Sequence, residues 1–344
     1  MPKKILVTGG CGFIGSNFII YWLKNHPLDI VINLDKITYA GNKKYLSEIT
    51  KNKDCKKRYK FFKGNIRNVK LVQRILNKEN PDIIVHFAAE THVTRSEGAA
   101  ENAKRFFDTN VAGTFILLES CVQLNKHLRF IQISTDEVYG EVKDGFRKES
   151  EKKSGFGKAT SPYAKTKAIA DDLALSYSDK LDVIVARPTN NFGPRQNPEK
   201  LLPRSITNLF LGKPIEIWGE GNEIRDWLYV EDTARAIETL IEKGKTGEAY
   251  NIGANNKPEI TNKEIAELLV EIMNLNKEKM IKFVPNPRKH HDFRYGVDTE
   301  KIKKLGWVPS YNIKELFTKT IDWYKENKKI WLSLKKEAEK LYND

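Results

Sequence analysis

Short apolar runs alternate with longer segments of helical periodicity through the first half of the chain. Buried parallel strands form continuous apolar runs, and this alternation therefore predicts a doubly wound parallel sheet with helices on both faces. The active crevice of such a sheet lies beyond the carboxyl ends of its strands. The predicted strands are 5–8, 30–34, 59–62, 83–87, 130–134 and 183–186, and the predicted helices lie near 14–24, 69–77, 104–124 and 163–178.

The pattern changes from about Pro188, where connections rich in Pro, Gly and Asn replace the regular alternation. A helical segment at 230–242 and a strand near 250–253 then resemble the first half again. We therefore predict one α/β domain over 1–187, rejoined by segments near 226–255, and a smaller, interleaved C-terminal lobe over 188–344 that closes over the crevice. The last predicted element is a single charged helix over 321–342.

Composition and charge argue against several classes of protein. The 344 residues are 40% hydrophobic and exceed the usual size of one core. The formal net charge is +14, but the lysines are scattered rather than interleaved with aromatic residues, so we expect no nucleic-acid partner and some attraction for an anionic substrate. Cys11, Cys55 and Cys121 lack metal-ligand spacing, and no apolar run reaches membrane length. We expect a cytoplasmic protein without disulfide, metal or membrane contact.

A glycine-rich turn follows the first predicted strand. Gly9 permits the tight turn, Gly12 lets the backbone approach a pyrophosphate, and Gly15 allows close packing of the helix that begins there. Asp35 ends the second strand about twenty residues later, where a carboxylate binds an adenosine ribose and repels a 2′-phosphate. The pattern predicts a Rossmann-like domain that binds NAD in preference to NADP, although the adjacent Lys36 weakens that preference.

Five polar residues form the candidate reacting groups. Tyr163 and Lys167 are four residues apart on a predicted helix, where the ammonium is expected to lower the pKa of the phenol and make it a base for a substrate hydroxyl. Thr135, Asp136 and Glu137 follow the fifth strand. Neighbouring carboxylates can divide the roles of acid and base when one stays protonated. A solvated turn at a strand end is the alternative explanation for the two acids.

With these motifs the chain resembles the extended short-chain dehydrogenase/reductase family and, within it, the nucleoside-diphosphate-glucose 4,6-dehydratases. The resemblance covers nearly the whole length. It is carried by GGCGFIGSN from Gly9, LDKITYAGN from Leu34, HFAAETHV from His86, STDEVYG from Ser134, PYAKTK from Pro162, NNFGPRQNPEKLLP from Asn190, RDWLYVED from Arg225, YNIG from Tyr250 and HDFRYGVD from His291. The Thr-Asp-Glu triplet is the specific part, because related epimerases and GDP-mannose dehydratases lack the paired acids.

The resemblance implies a reaction on a nucleoside-diphosphate-glucose, with dTDP-glucose favoured. Tyr163 would take the proton of the 4-hydroxyl during oxidation by NAD, with Thr135 hydrogen-bonded to that hydroxyl and Lys167 on the nicotinamide ribose. Glu137 would remove the carbon 5 proton and Asp136 would protonate the leaving 6-hydroxyl, before reduction at carbon 6. UDP-glucose dehydration, a nucleotide-sugar 4-epimerase, and a catalytically idle NAD-binding or nucleic-acid-binding protein remain alternatives.

The resemblance also assigns contact residues. The cofactor residues are Gly9, Gly12, Phe13, Ile14, Gly15, Asp35, Lys36, Ile37, Thr38, Gly41, Asn65, Ile66, Phe87, Ala88, Ala89, Thr91, Thr109, Tyr163, Lys167 and Asn191. The substrate residues are Thr91, Thr135, Asn190, Lys200, Leu201, Glu216, Trp218, Arg225, Asn262, Arg288 and His291. Arg225 and Arg288 suit a diphosphate. Members of the family dimerise through two helices per subunit, which correspond to 104–124 and 163–178.

Several positions depart from the family pattern. Thr94 stands where an aspartate is usual, and the segment 96–109 is about three residues longer than expected. Trp218 replaces a common tyrosine near the base, and Asn65 replaces an aspartate that often meets adenine. A thymine methyl contributes only on the order of 1 kcal/mol of apolar burial. The sequence therefore leaves the choice between thymine and uracil open.

Overall fold

The structure is a computed structural model that describes residues 2–92, 96, 100–151, 161–286 and 292–343. Its strands are β1 (Lys4–Thr8), β2 (Ile30–Asp35), β3 (Tyr59–Lys63), β4 (Ile83–His86), β5 (Arg129–Ile133), β6 (Asp182–Pro188), β7 (Asn190–Phe192), β8 (Ile215–Trp218), β9 (Ile224–Arg225), β10 (Trp227–Tyr229), β11 (Glu248–Ile252), β12 (Ile260–Thr261) and β13 (Ile281–Val284).

Helices cover both faces of the large sheet and build most of the smaller lobe. They are α1 (Phe13–Asn25), α2 (Ser47–Lys51), α3 (Lys53–Lys57), α4 (Val69–Glu79), α5 (Ala100–Phe106), α6 (Gly113–Val122), α7 (Pro162–Leu175), α8 (Leu201–Phe210), α9 (Val230–Lys243), α10 (Asn262–Ile272), α11 (Lys277–Met280), α12 (Glu300–Lys303), α13 (Ile313–Glu326) and α14 (Lys328–Asn343). Short 3₁₀ helices at Lys43–Leu46 and Asp136–Tyr139 and a π-helical turn at Phe107–Ala112 complete the list.

Seven parallel strands form the large sheet in the order β11-β6-β5-β4-β1-β2-β3. The predicted doubly wound parallel sheet is confirmed. Alternate residues of each strand face opposite layers: Ile5 and Val7 pack towards α1 and α9, whereas Leu6 packs towards α4 and α6. All seven carboxyl ends lie at one edge, which fixes where a ligand crevice can form.

The chain crosses between the two lobes more than once. β11 pairs with β6 in the large sheet, and α9 packs against α1. The smaller lobe contains the two-stranded pairs β7–β10, β9–β12 and β8–β13. Its separate hydrophobic core joins α8, α10, α13 and α14, with Phe192, Phe317 and Trp331 buried inside.

The prediction of one helix over 321–342 is wrong. The structure has α13 and α14, which meet at Asn327. The Asn327 amide closes α13 on the Trp323 carbonyl at 3.0 Å, and its own carbonyl accepts from Ile330 at 2.9 Å. Trp331 is only 1% exposed, and its indole donates to the carbonyl of Tyr324 at 2.6 Å. The helix breaks at Asn327 because the break allows Trp331 to be buried in the core of the smaller lobe.

The predicted helical segment over 104–124 is confirmed, and it contains a π-helical turn. A π-helical turn separates α5 from α6. Asn110 lies in this turn and is buried, and its side chain bonds the backbone of Glu90 twice, accepting at 2.9 Å and donating at 3.1 Å. It also donates to Thr166 on α7 at 3.0 Å. The wider turn therefore fits Asn110 between the end of β4 and α7, and π turns are frequent at functional sites.

Candidate active site

The glycine-rich turn connects β1 to α1 and lies against the end of β4. Gly9 has a φ of +73°, and a Cβ there would approach the Ala88 amide nitrogen to 2.7 Å. A Cβ on Gly15 would approach the Gly9 carbonyl oxygen to 2.6 Å. Both positions thus require glycine, one for the backbone angle and both for close contact. The turn leaves a smooth surface of backbone, as a dinucleotide requires.

The start of α1 is suited to an anion. Gly12 is the N-terminal capping residue, and no side chain of the described residues caps the helix. The first-turn amides of Phe13, Ile14 and Gly15 therefore have no partner within the helix. The first turn carries no acidic side chain. These free donors at the positive end of a helix fit a pyrophosphate.

Asp35 ties the loop after β2 to the glycine-rich turn. Its carboxylate accepts from the amides of Cys11 at 2.8 Å and Ile37 at 2.6 Å. Burial raises its pKa, and these two hydrogen bonds lower it in part. Thr38 and Gly41 close the same loop through a 3.0 Å backbone bond. Asp35 and the loop that includes Lys36 thus lie beside the turn, at the edge where the resemblance places the ribose.

Other predicted cofactor residues follow neighbouring strands at the same edge. Asn65 and Ile66 come after β3, and Ile66 is buried in the core under the sheet. Phe87, Ala88 and Ala89 follow β4 and are half-buried. Four of these five side chains are apolar, and two of the four are alanines. Such side chains permit a flat ligand to lie against the strand ends.

Three cofactor assignments lie farther along the chain. Thr109 is half-buried in the π-helical turn. Thr91 is exposed, and its carbonyl accepts from the Lys200 ammonium at 3.3 Å, a contact between the two sides of the crevice. Asn191 lies on β7, and its side chain accepts from Thr233 at 2.6 Å. The Asn191 side-chain amide is thus hydrogen-bonded within the protein.

The paired phenol and ammonium lie on α7. Ser161 caps this helix through the Ala164 amide at 3.1 Å. Tyr163 and Lys167 are 8% and 4% exposed, and the Lys167 ammonium donates to the carbonyl of Ile133 at 2.5 Å. Burial lowers the pKa of Lys167 to about 8. The ammonium thus joins α7 to the carboxyl end of β5.

The expectation that Lys167 lowers the pKa of Tyr163 is wrong for the protein without ligands. Burial raises the pKa of Tyr163, and the carboxylates of Glu137 and Asp136 raise it further. A hydrogen bond with Thr135 opposes this rise. Because the Lys167 ammonium contacts the Ile133 carbonyl, it does not offset the burial of the phenol. The net direction of the Tyr163 pKa is therefore upward.

Asp136 and Glu137 occupy different environments in the 3₁₀ turn after β5. Asp136 is 3% exposed, and its Oδ1 accepts from the Thr135 hydroxyl at 3.1 Å. Its Oδ2 is buried and has no hydrogen-bond partner among the described residues. Burial raises the pKa of Asp136 to about 7, and the charges of Glu137 and Asp226 add to the rise. Glu137 is half-buried. Asp136 therefore takes up a proton at a higher pH than an ordinary carboxyl group, beside a more accessible carboxylate.

Four predicted substrate residues lie outside the large sheet or just after its strands. Asn190 and Asn262 each bury a side-chain oxygen without a hydrogen-bond partner among the described residues. Leu201 begins α8, directly after Lys200. Trp218 ends β8 and is half-buried.

Two predicted substrate residues make internal contacts. Glu216 pairs with Arg204 at 2.8 Å. The Arg225 guanidinium donates to the carbonyls of Ile224 at 2.7 Å and Phe293 at 3.0 Å. Arg225 is thus held by the backbone of Asp292 and Phe293. The remaining two assignments, Arg288 and His291, lie outside the described residues.

Sequence reasoning missed Asp226 and Tyr295. Asp226 accepts from Thr189 at 3.0 Å and its charge raises the pKa of Asp136. Tyr295 is buried, has its ring 4.8 Å from the guanidinium of Arg225, and is close enough to Glu137 for that charge to raise its pKa. Both residues lie in quoted motifs, RDWLYVED and HDFRYGVD, and that position was the available signal.

The site combines a dinucleotide turn, a buried phenol and ammonium, and two neighbouring carboxyl groups that differ in burial. This is the class of an NAD-dependent enzyme that acts on an alcohol and on a neighbouring carbon. A family model described as GDP-mannose 4,6 dehydratase matches residues 6–320. The chain belongs to that family.

Individual relatives resemble the chain over most of its length. The dTDP-glucose 4,6-dehydratase of Escherichia coli is 41% identical, over 95% of each chain. A trifunctional UDP-glucose 4,6-dehydratase of Arabidopsis thaliana is 39% identical over 96% of this chain and 48% of its own. The crystal structure of the dTDP-glucose 4,6-dehydratase from Streptomyces venezuelae, with NAD bound, has a TM-score of 0.86, 38% identity, and covers 96% of this chain and 99% of its own.

Two further findings concern the described residues alone. No helix among them has the length and apolar composition to cross a bilayer. Within the same ranges, no group of three or more His, Cys, Asp and Glu side chains is arranged to hold a metal ion.

Proposed function

We propose that the protein is an NAD-dependent hydro-lyase that dehydrates a nucleoside-diphosphate-glucose, with dTDP-glucose as the substrate, to the 4-keto-6-deoxy sugar nucleotide. The reaction comprises oxidation at carbon 4, elimination of water across carbons 5 and 6, and reduction at carbon 6. The carrying observation is the unequal pair of acids: Asp136 is buried with a raised pKa, and Glu137 is more accessible. An epimerase needs no such pair.

NAD fits the residues around the glycine-rich turn. Gly9, Gly12 and Gly15 leave room for the pyrophosphate, and Asp35 lies at the ribose end. When bound, NAD would supply a reversible two-electron acceptor. No net oxidation occurs in the dehydration, so the cofactor stays resident.

Tyr163 is proposed as the base for the 4-hydroxyl. The Tyr163 phenol is hydrogen-bonded to Thr135 and buried with Lys167 on the same helix face. Thr135 is positioned to bond the same sugar hydroxyl. Burial and the neighbouring carboxylates raise the pKa of Tyr163, so a nearby positive charge would favour its action as a base.

Glu137 and Asp136 are proposed as the base and acid of the elimination. A carbon 5 proton becomes acidic once carbon 4 is a ketone, and a carboxylate can then remove it. Hydroxide is a poor leaving group and needs a proton donor. The Oδ2 atom of Asp136 is buried without a hydrogen-bond partner among the described residues, so a proton on it would not be held by another group of the protein.

The substrate is tested by offering dTDP-glucose, UDP-glucose, CDP-glucose and GDP-mannose separately to the holoenzyme. We expect a 4-keto-6-deoxy product, with the highest kcat/KM for dTDP-glucose. One methyl group separates thymine from uracil, so the preference over UDP-glucose should be about fivefold. A product of galactose configuration, or no turnover of any of the four, would contradict the proposal.

UDP-glucose is a second candidate because the Arabidopsis relative is named for it. The reaction on that substrate uses the same five groups. The substrate comparison decides between the thymine and the uracil nucleotide. We also propose that the product supplies deoxysugar synthesis, including rhamnose.

We propose a homodimer formed through α6 and α7. Phe107 and Phe115 are 49% and 47% exposed, and they lie about two turns apart along the helical segment that packs on α7. A second copy of the chain would cover this apolar face.

We also propose a division of each subunit into two parts. Residues 1–187 supply most of the large sheet, and residues 188–344 supply mainly the smaller lobe.

The dimer is tested with Phe107→Glu/Phe115→Glu, which places two charges on the apolar face. We expect light scattering to report a monomer for this variant and a dimer for the unaltered protein. Phe283→Glu is the matched control, because Phe283 is 50% exposed on β13 in the smaller lobe. A dimer that persists in the double variant, or is lost in the control, would argue against this interface.

A further inference from the structure

The tyrosine of the STDEVYG segment has no role in the reaction described so far. Tyr139 is 3% exposed and packs with Ala168 of α7 and with Val297. Its hydroxyl donates to Asn251 on β11 at 2.9 Å. The Arg187 guanidinium lies 5.1 Å from the ring centroid and donates to the same hydroxyl at 2.5 Å. Tyr139 thus joins the turn of the two acids to β6, β11 and α7.

Arg187 also contacts the helix of the phenol. Its Nε donates to Oδ2 of Asp171 at 3.0 Å, and the two side chains are 2% and 0% exposed. Asp171 follows Lys167 by four residues and Tyr163 by eight, so all three share one face of α7. A fully buried ion pair therefore lies one helical turn from the Lys167 ammonium.

The contacts of Arg187 join the two chemical halves of the site. Through Tyr139 the guanidinium holds the turn that carries Asp136 and Glu137, and through Asp171 it holds the helix that carries the phenol. A carboxylate near the reacting groups raises their affinity for protons unless a cation compensates it. Among the described residues, the titratable groups that face Tyr163 and Lys167 are Asp171 of α7, His86 of β4, and Asp136 and Glu137 of the 3₁₀ turn. The charge of Glu149 acts on the Tyr139 hydroxyl that Arg187 contacts.

We propose that Arg187 is a positioning residue. It sets the separation between the redox groups on α7 and the acid–base pair on the 3₁₀ turn, and it compensates the Asp171 carboxylate beside Lys167. The inference rests on the proposed function for its kinetic test. The contacts of Arg187 with Tyr139 and Asp171 do not depend on that function.

The test measures the pH profile of the pre-steady-state rate of cofactor reduction on addition of dTDP-glucose. This step precedes the elimination and does not need the Asp136 proton. In Arg187→Met the Asp171 carboxylate is uncompensated, and we expect the profile to move up by about one pH unit. In Asp171→Asn the Arg187 cation is uncompensated, and the profile should move down by about one unit. The double variant should return to the profile of the unaltered protein.

A second ion pair on the same two strands provides the control. Arg129 and Asp182 pair at 2.6 Å, at the amino ends of β5 and β6 and away from the crevice. Arg129→Met should lower the melting temperature and leave the pH profile unchanged. Unshifted profiles in both Arg187→Met and Asp171→Asn, or shifts in the same direction, would overturn the proposal. Turnover by the unaltered protein is scored separately, so failure of the proposed function is distinguishable.

Tyr139→Phe keeps the proposal testable if a charge variant does not fold, because it removes one hydroxyl and no charge. We expect kcat to fall about tenfold with KM unchanged, since the turn and β6 lose their connection while the binding residues stay in place. A kcat equal to that of the unaltered protein in this variant would contradict the positioning role. Arg187→Lys, which keeps the charge without the fork of donors, should keep the pH profile and recover part of kcat.

Discussion

The Glu137→Gln enzyme should oxidise its substrate and then stall. Glutamine keeps the shape of the side chain and cannot accept the carbon 5 proton, so product formation should fall by on the order of 10²–10⁴. The reduced cofactor should accumulate after mixing with dTDP-glucose and be visible by its absorbance. Solvent deuterium should no longer enter the product at carbon 5.

Glu242→Gln is the control for this substitution, because Glu242 is exposed on α9 and far from the crevice. It should leave turnover and deuterium incorporation unchanged. If Glu137→Gln forms product at the normal rate, Glu137 is not the base of the elimination.

The Tyr163→Phe enzyme should lose the first step rather than the second. Removal of the phenolic hydroxyl takes away the proposed acceptor of the 4-hydroxyl proton, and the rate of oxidation should fall by on the order of 10²–10⁴. No reduced cofactor should accumulate, which separates this variant from Glu137→Gln. KM should change little, because the nucleotide handle is bound by other residues.

Tyr177→Phe is a matched control, since Tyr177 is also 8% exposed and follows the same helix, but its hydroxyl bonds to Glu119 away from the crevice. Turnover should survive in this variant. Intact turnover in Tyr163→Phe would remove the phenol from the mechanism.

The large sheet was predictable because its signal is local. Each buried strand is an uninterrupted apolar run, and the strand ends at which polar residues appear mark the crevice. The predicted strand near 250–253 is confirmed as β11 beside β6, and the glycines of the first turn lie where a side chain would clash. These features depend on the order and spacing of apolar residues and glycines along the chain, which can be read from the sequence.

Other features depend on contacts between distant residues. The break at Asn327 follows from the burial of Trp331 in the core of the smaller lobe, which no local pattern indicates. The pKa of Tyr163 follows from burial and from carboxylates on another element. Asp226, between β9 and β10, affects Asp136 only because the fold holds it against Thr189 after β6, and β6 lies beside β5. Sequence spacing does not encode such three-dimensional proximity.

The position of β11 at the edge of the large sheet has a consequence for synthesis on the ribosome. The chain makes β6 and then the first half of the smaller lobe before residue 252 completes the sheet. Until then β6, whose seven residues are all buried in the finished protein, is an open edge of apolar side chains and unpaired backbone. A nascent chain arrested or truncated before Glu248 would therefore present a surface prone to aggregation, and a chimaera that exchanges everything after residue 187 would replace part of the sheet together with the lobe.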